Sequence, residues 1–246
     1  MTKRLVSTVV ALGASALLSS CNFDQPKAGC VVQDAEDWFA RYQLKEGTIS
    51  PNTADCVERM GNIKGETFGV FKYTDPKSTD TSKLAIRPFT LTFYGPQWDP
   101  QQPQAVDPTN AVGTLPRDPP NEEDSLCPST NMTVASAEIP VDAESTSLAE
   151  YKFENVQVYS APSAPGTQMG GDVTITLDGC TAKYSFRALW PFVGCDPTAA
   201  DACGEGSGLN PDFKVNCDAN ALSADVAEYY GEEAACVPTD PIPSFK

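Results

Sequence analysis

The chain has 246 residues, 41% of them hydrophobic, which is enough for a folded core and argues against disorder throughout. Its formal net charge of −16 disfavours binding to nucleic acids and direct adsorption to anionic lipid headgroups. It contains no histidine, which excludes Ser–His–Asp and Cys–His hydrolases and histidine-ligated metal sites. Ser–Lys pairs, paired carboxylates and all-oxygen metal sites remain open.

The first residues have the layout of a bacterial export signal. Lys3 and Arg4 precede an apolar run over residues 5–18, which is followed by two serines and Cys21. As a helix the run would span ~21 Å, which is short of the ~30 Å hydrocarbon core of a bilayer. We therefore predict a cleaved signal peptide at residues 1–20.

The cleavage site carries a more specific pattern. Leu18–Cys21 (a long aliphatic residue, two small residues and a cysteine) resembles the bacterial lipobox. The resemblance implies acylation of Cys21, and two or more acyl chains hold a protein stably on a bilayer. An ordinary secretory peptide with an incidental cysteine is the alternative. Asn22 stands where an aspartate would retain a lipoprotein at the inner membrane, so the sequence favours the outer membrane of the cell envelope. Removal of residues 1–20 would leave a charge of −18.

Short alternating segments then predict strands in chain order. A helix from Asp34 is an alternative for the first of them, Pro88 indicates an edge strand or a bulge in the third, and Asp178-Gly179 is a hairpin-turn signal. The predicted strands are Trp38–Leu44, Thr67–Tyr73, Leu84–Tyr94, Met132–Ile139, Tyr151–Tyr159, Asp172–Leu177 and Thr181–Trp190.

Two regions lack this alternation. Residues 95–120 are rich in proline and predict a long surface loop or disordered insert. The tail after Pro191 carries four cysteines and predicts an irregular segment with a short helix near residues 222–230. We predict that residues 21–29 comprise the lipidated cysteine and a short tether, and that residues 30–246 form one mainly β domain. We expect an antiparallel β-sandwich or partly open barrel.

Eight cysteines remain besides Cys21, an even number in an exported chain, which predicts disulfide bonds rather than metal or redox thiols. Spacing alone does not choose among the 105 possible pairings. The residues concerned are Cys30, Cys56, Cys127, Cys180, Cys195, Cys203, Cys217 and Cys236.

Three phrases carry a family resemblance: residues 178–184 (DGCTAKY), residues 189–191 (LWP) and residues 206–213 (GSGLNPDF). They resemble cysteine-bearing lipoproteins of myxobacteria, and the resemblance covers the chain from Cys30 onward. It implies lipoprotein status and supplies no active-site residues.

One segment has the composition of a calcium site. Acidic and amide side chains stand among Gly and Ser residues, although the EF-hand loop pattern is absent. The candidate ligands are Asp196, Asp201, Glu205, Asn210 and Asp212. No cofactor other than calcium is indicated.

Three functions follow from these observations. The sequence favours a non-enzymatic envelope lipoprotein with a structural or ligand-binding role, a bilayer as partner through Cys21, and a protein or glycan ligand. A calcium-dependent adhesion or carbohydrate-binding module is the first alternative. A carboxylate-based hydrolase is the second. The tryptophans Trp38, Trp98 and Trp190 could line a sugar groove, but isolated tryptophans in a β protein are more often core or loop anchors.

Overall fold

The computed structural model describes residues 29–75, 77–94, 107–121, 123–140 and 145–246. The predicted signal peptide, Cys21 and the tether up to residue 28 lie outside these residues, as do Trp98 and the first part of the proline-rich stretch. None of the helices in the described part of the chain has the length and apolarity needed to span a membrane.

Within these ranges the chain forms eleven strands and three short helices. The strands are β1 (Ala35–Leu44), β2 (Gly65–Thr74), β3 (Thr81–Pro88), β4 (Ala111–Pro116), β5 (Leu126–Pro128), β6 (Val134–Pro140), β7 (Thr146–Ala161), β8 (Ala164–Leu177), β9 (Cys180–Leu189), β10 (Val215–Asp218) and β11 (Ala235–Pro238). The helices are α1 (Ala54–Gly61), α2 (Phe89–Tyr94) and α3 (Ala224–Tyr230).

Nine strands make one large antiparallel sheet in the order β4-β3-β2-β1-β9-β8-β7-β5, with β6 also paired to β7. Strands β10 and β11 form a separate pair. The sheet curls until Thr114 and Thr130 exchange two backbone hydrogen bonds of 2.8 and 2.9 Å. It does not close into a barrel, because this contact is an isolated bridge rather than a ladder. The predicted mainly antiparallel β class is confirmed.

The core lies on the concave side of the sheet and follows the alternation read from the sequence. In β7, for example, Tyr151 and Phe153 are buried on either side of the exposed Lys152. A bulge between Glu154 and Gln157 then shifts the alternation by one residue, so that Val156 and Val158 are the buried residues beyond it. Successive side chains of a strand point to opposite faces, so one apolar residue in two suffices to build the core. Aromatic rings from distant strands meet edge to face there, as Phe68 does with Phe153 and Phe186.

The predicted turn between β8 and β9 is confirmed. Asp178 and Gly179 have φ values of 49° and 73°, and Leu177 pairs with Cys180 on either side of them. Two consecutive positive φ angles are the signature of the type I′ turn, whose twist matches that of an antiparallel hairpin.

The segment Leu84–Tyr94 is not one strand, as the sequence had predicted. Strand β3 ends at Pro88, and the residues after it form α2. Proline lacks the N–H that would continue a ladder, and the N–H of Thr90 is instead bound by Glu66. Pro88 is therefore the last residue of a strand that lies between β2 and β4, not part of an edge strand.

The proline-rich stretch 95–120 is also not entirely a loop, since its second half contains β4. Ala111, Gly113 and Leu115 face the interior and are buried, while the residues between them are partly exposed. Ala and Gly add little to a hydrophobic pattern, so the sequence did not reveal this strand. Residues 95–106 lie outside the described part of the chain.

Two further helices, α1 and α3, also flank the sheet. Helix α1 was not predicted; Thr53 caps it by accepting the N–H of Cys56 at 3.3 Å, and its buried Met60 accepts the hydroxyl of Tyr184 at 2.6 Å. Helix α3 confirms the helix predicted near residues 222–230.

The eight cysteines form four disulfide bonds, as predicted. Two bonds, Cys30–Cys127 and Cys56–Cys180, join segments of the large sheet that are 97 and 124 residues apart. The other two, Cys195–Cys217 and Cys203–Cys236, lie entirely within the tail.

Candidate functional site

A groove of about 450 Å³ lies on the face of the sheet opposite to the core. Its floor comes from β1, β2 and β3, and its sides come from α2 and α3. In β2 the alternation sends Glu66, Phe68 and Val70 towards the core, which leaves Thr67, Gly69 and Phe71 facing the groove. The groove therefore combines residues about 160 positions apart in the chain, from the end of β2 to α3.

Aromatic rings form the wall. Phe89 and Phe93, one turn apart on α2, stack at 5.3 Å between centroids. Tyr229 of α3 contacts both of them, at 5.2 and 5.7 Å. Phe93 and Tyr229 are 50% and 59% exposed. These two helices thus hold a rigid aromatic platform that is open to solvent.

Helix α2 is held in place from inside the sheet. The buried carboxyl group of Glu66 accepts the backbone N–H of Thr90 at 2.9 Å through Oε2 and the hydroxyl of Tyr42 at 2.8 Å through Oε1. Tyr151 is a further hydrogen-bond partner of the same group. Leu91, which is 1% exposed, anchors the helix in the core. Phe89 and Phe93 consequently have a fixed position relative to the sheet.

Burial in this aromatic interior raises the pKa of Glu66, although the hydrogen bonds from Thr90 and the tyrosines act in the opposite direction. The same burial, and the nearby carboxyl group, raise the pKa values of Tyr42 and Tyr151. Glu66 is only 3% exposed, so the cluster supports the groove rather than contacting a ligand.

Helix α3 is positioned against β2. The N–H of Ser223 donates to the carbonyl of Gly65 at 3.1 Å just before the helix, and the buried Val226 packs beneath it. The hydroxyl of Tyr230 donates to Thr67 Oγ1 at 3.3 Å. Gly231 ends the helix with a φ of 69°, a conformation that residues with a side chain rarely adopt.

The rim of the groove is polar. Glu36 and Asp37 are exposed, and neither forms an ion pair with any cation of the described ranges. Arg87 is oriented by Asn110, which accepts from Nε at 3.1 Å, and by an ion pair with Asp107. The groove therefore offers acceptors at one end and an immobilised guanidinium group near its floor.

Gly69 leaves room at the floor. A Cβ atom at this position would lie 3.0 Å from the ring of Phe71 and 3.6 Å from the Cβ of Arg87. A larger side chain would therefore displace Phe71 or fill the groove, which makes this glycine a suitable position for a blocking substitution.

The predicted calcium ligands take part in local turns. Asp196 accepts the N–H and the hydroxyl of Thr198 at 2.8 and 2.7 Å, which lowers the pKa of its carboxyl group. Asn210 accepts the N–H of Asp212 at 3.0 Å and donates to the carbonyl of Ser163 at 2.9 Å. Asp201 and Glu205 are exposed. The calcium site stays a prediction.

Two clusters of acidic and cysteine side chains in the described ranges have ligand atoms close enough to share an ion. One consists of Cys195, Cys203 and Cys236, and the other of Asp55 with the Cys56–Cys180 pair. Every cysteine in them is oxidised to a disulfide. Metal binding by cysteine requires the thiolate, so these clusters are structural.

The tryptophans that could have lined a sugar groove lie elsewhere. Trp38 is fully buried in the core and donates its Nε1–H to the carbonyl of Gln33 at 3.0 Å, and Trp190 packs partly buried against the same core. The aromatic residues of the groove are instead phenylalanines and tyrosines. Phe89 and Tyr229 come from separate short helices, so no local pattern could have grouped them.

The chain is a disulfide-stapled antiparallel β protein, and disulfide bonds of this number are typical of proteins in oxidising compartments. The sequence profile named MlpA matches residues 36–191. A Myxococcus xanthus protein described as "Putative lipoprotein MlpA" is 36% identical over 251 residues, which cover 100% of each chain. The chain belongs to the MlpA family, a family of myxobacterial lipoproteins, as its resemblance had indicated. No solved structure matches it.

Proposed function

We propose that the chain is a membrane-anchored envelope lipoprotein, acylated at Cys21 and held at the outer membrane, that binds a carbohydrate ligand in the aromatic groove without transforming it. Its lipoprotein family and the lipobox-like residues before Cys21 support the anchor. The groove supports the binding role.

The observation that carries this proposal is the solvent-exposed contact between Phe93 and Tyr229 beside Glu36 and Asp37. Exposed clusters of large apolar side chains in a soluble domain mark binding surfaces. A sugar ring has an apolar face of C–H groups and a rim of hydroxyls. The apolar face matches the aromatic wall, and the hydroxyls match the carboxylates and the guanidinium of Arg87.

The anchor is tested by the intact mass of detergent-extracted protein, measured with and without thiol alkylation under non-reducing conditions. We expect a chain that begins at acylated Cys21 and has no alkylatable thiol. A chain that lacks lipid contradicts the anchor, and free thiols contradict the four disulfides.

The ligand is tested by screening the mature protein on a glycan array and titrating the strongest ligand by calorimetry. We expect Gly69→Leu, which fills the groove, to abolish that binding. Tyr73→Ala is the matched control, because Tyr73 is 47% exposed but lies outside the groove. Binding that survives Gly69→Leu would assign the ligand to another surface, and hydrolysis of the ligand during titration would favour the hydrolase alternative.

The calcium-dependent module is tested in the same instrument. Absence of any heat on titration with millimolar calcium would contradict the predicted ligands at residues 196–212.

A further inference from the structure

A second surface lies at the point where the tether enters the domain. The N–H of Cys30 donates to the carbonyl of Arg117 at 2.7 Å, and Nζ of Lys72 donates to the carbonyl of Cys30. The tip of the β2–β3 hairpin completes an open depression of about 930 Å³ that includes both cations and Lys77. We call these residues, with Tyr73 and Val31, the tether face.

The depression carries a net positive charge, unlike the chain as a whole. Three cations line it against two acids, while the whole chain carries −16. The cations are Lys72, Lys77 and Arg117, and the acids are Asp75 and Asp80. Asp75 is already paired with Lys83 at 3.4 Å.

Lys72 and Arg117 have no acid within ion-pair distance among the described residues. Burial and the charge of Arg117 lower the pKa of Lys72, so these two cations repel each other. An anion placed between them would relieve this repulsion.

Apolar side chains accompany the cations. Tyr73 and Val31 are 47% and 41% exposed. Tyrosine at the headgroup level, with lysine and arginine beside it, is the composition of protein surfaces that rest on a bilayer.

The tether limits how far this face can be from the lipid. Residues 22–29 span at most ~29 Å when fully extended, at about 3.6 Å per residue. We propose that the tether face is the membrane-docking surface of the protein, where Lys72, Lys77 and Arg117 contact the phosphate groups of anionic lipid headgroups. This inference rests on the proposed acylation of Cys21.

The test uses the acylated protein inserted in vesicles of phosphatidylcholine, with or without phosphatidylglycerol. Amide hydrogen exchange in residues 75–81 is followed by mass spectrometry. We expect severalfold slower exchange on the anionic vesicles, and Lys72→Gln/Arg117→Gln should abolish the difference. The charge-matched control Lys152→Gln/Lys214→Gln removes two lysines elsewhere and should retain it.

Three results would overturn the proposal. The first is equal exchange on both kinds of vesicle, and the second is an equal effect of the control pair. The third is an equal slowing of amide exchange by inorganic phosphate in detergent without vesicles. That result would show that the cations bind a free anion and not a lipid headgroup. Near-UV circular dichroism checks the fold of the double variant, and Tyr73→Ser/Lys77→Gln, which alters exposed side chains only, provides a second test with the same expected loss.

Failure of the anchor is distinguishable, because it appears as an unacylated intact mass. In that case, contact with the headgroups is tested by measuring how much of the unacylated chain floats with the same vesicles in a density gradient. Binding to anionic vesicles supports the tether face, and no binding contradicts it.

Discussion

The carboxyl group of Glu66, inside the curled sheet, binds the backbone N–H of Thr90 at 2.9 Å in the first turn of the helix that carries Phe89 and Phe93. A buried acid therefore positions the aromatic wall of a groove on the opposite side of its strand. This relationship connects the stability of the interior to the geometry of the binding surface.

Replacement of Glu66 tests that connection. Glu66→Leu leaves the N–H of Thr90 and the hydroxyl of Tyr42 without their acceptor, and each buried unsatisfied donor costs about 1–3 kcal/mol. We expect a loss of ~2–4 kcal/mol in the free energy of unfolding, measured by denaturant titration. Glu66→Gln keeps an acceptor oxygen and should lose less. Equal stability of both variants and the parent would show that α2 is held by Leu91 alone.

The raised pKa of Glu66 predicts a pH dependence of stability. The folded protein holds the proton more tightly than the unfolded chain, whose glutamates titrate near 4.5. The contribution of Glu66 is therefore fully present below pH 4.5 and is lost as the pH rises through the higher folded pKa. We expect the stability difference between parent and Glu66→Gln to shift against the parent as the pH rises. Subtracting the two curves removes the other carboxyl groups. A flat difference would contradict the raised pKa.

The two exposed rings of the groove should act on binding and not on folding. Phe93→Ala and Tyr229→Ala each remove an aromatic contact from the ligand, and we expect a loss of about 1–2 kcal/mol, roughly 5- to 30-fold in Kd. Both side chains are at least half exposed, so the free energy of unfolding should change little. Calorimetry with the carbohydrate ligand measures the first effect and thermal unfolding the second. Unchanged affinity in both variants would show that the ligand does not bind at the aromatic wall.

The disulfides should differ in their contribution to stability. In the chain-entropy model a bridge that closes about 100 residues contributes ~4.7 kcal/mol, and one that closes about 20 contributes ~3.4 kcal/mol. We therefore expect Cys30→Ala/Cys127→Ala to lower the free energy of unfolding by ~1 kcal/mol more than Cys195→Ala/Cys217→Ala does. Urea unfolding of the two double variants makes the comparison. The opposite order would indicate that strain or residual structure dominates.

Patterns local in the chain were sufficient for much of the fold. The alternation in Tyr151–Tyr159, the Asp178-Gly179 turn and the even number of cysteines each predicted a feature that the structure confirms. These predictions succeeded because strand alternation and turn type are set by a few neighbouring residues. The formation of disulfide bonds depends on the oxidising compartment and on the number of cysteines, and neither requires knowledge of the fold.

Features that depend on distant contacts were missed. Two of the three buried residues of strand β4 are Ala111 and Gly113, which are too small to give a hydrophobic pattern, and the strand is recognisable by its pairing with β3. Helix α2 depends on the carboxyl group of Glu66 in β2, which accepts the N–H of Thr90 where a neighbouring strand would otherwise provide the acceptor. The groove joins Phe93 to Tyr229, two residues whose meeting no periodicity encodes. The pairing of the cysteines depends on the same long-range geometry.

Among the cysteines that the structure describes, no disulfide bond connects the large sheet to the tail. A chain that sorts its cysteines into these two sets of four has three pairings to resolve in each, or 9 combinations instead of 105. The tail set, Cys195 to Cys236, follows the sheet set in the chain and spans only 42 residues, so it can be oxidised by short-range collisions. The sheet set needs strands about a hundred residues apart to be paired first. Errors of oxidation, and the demand for an isomerase that corrects them, should therefore concentrate at Cys30, Cys56, Cys127 and Cys180.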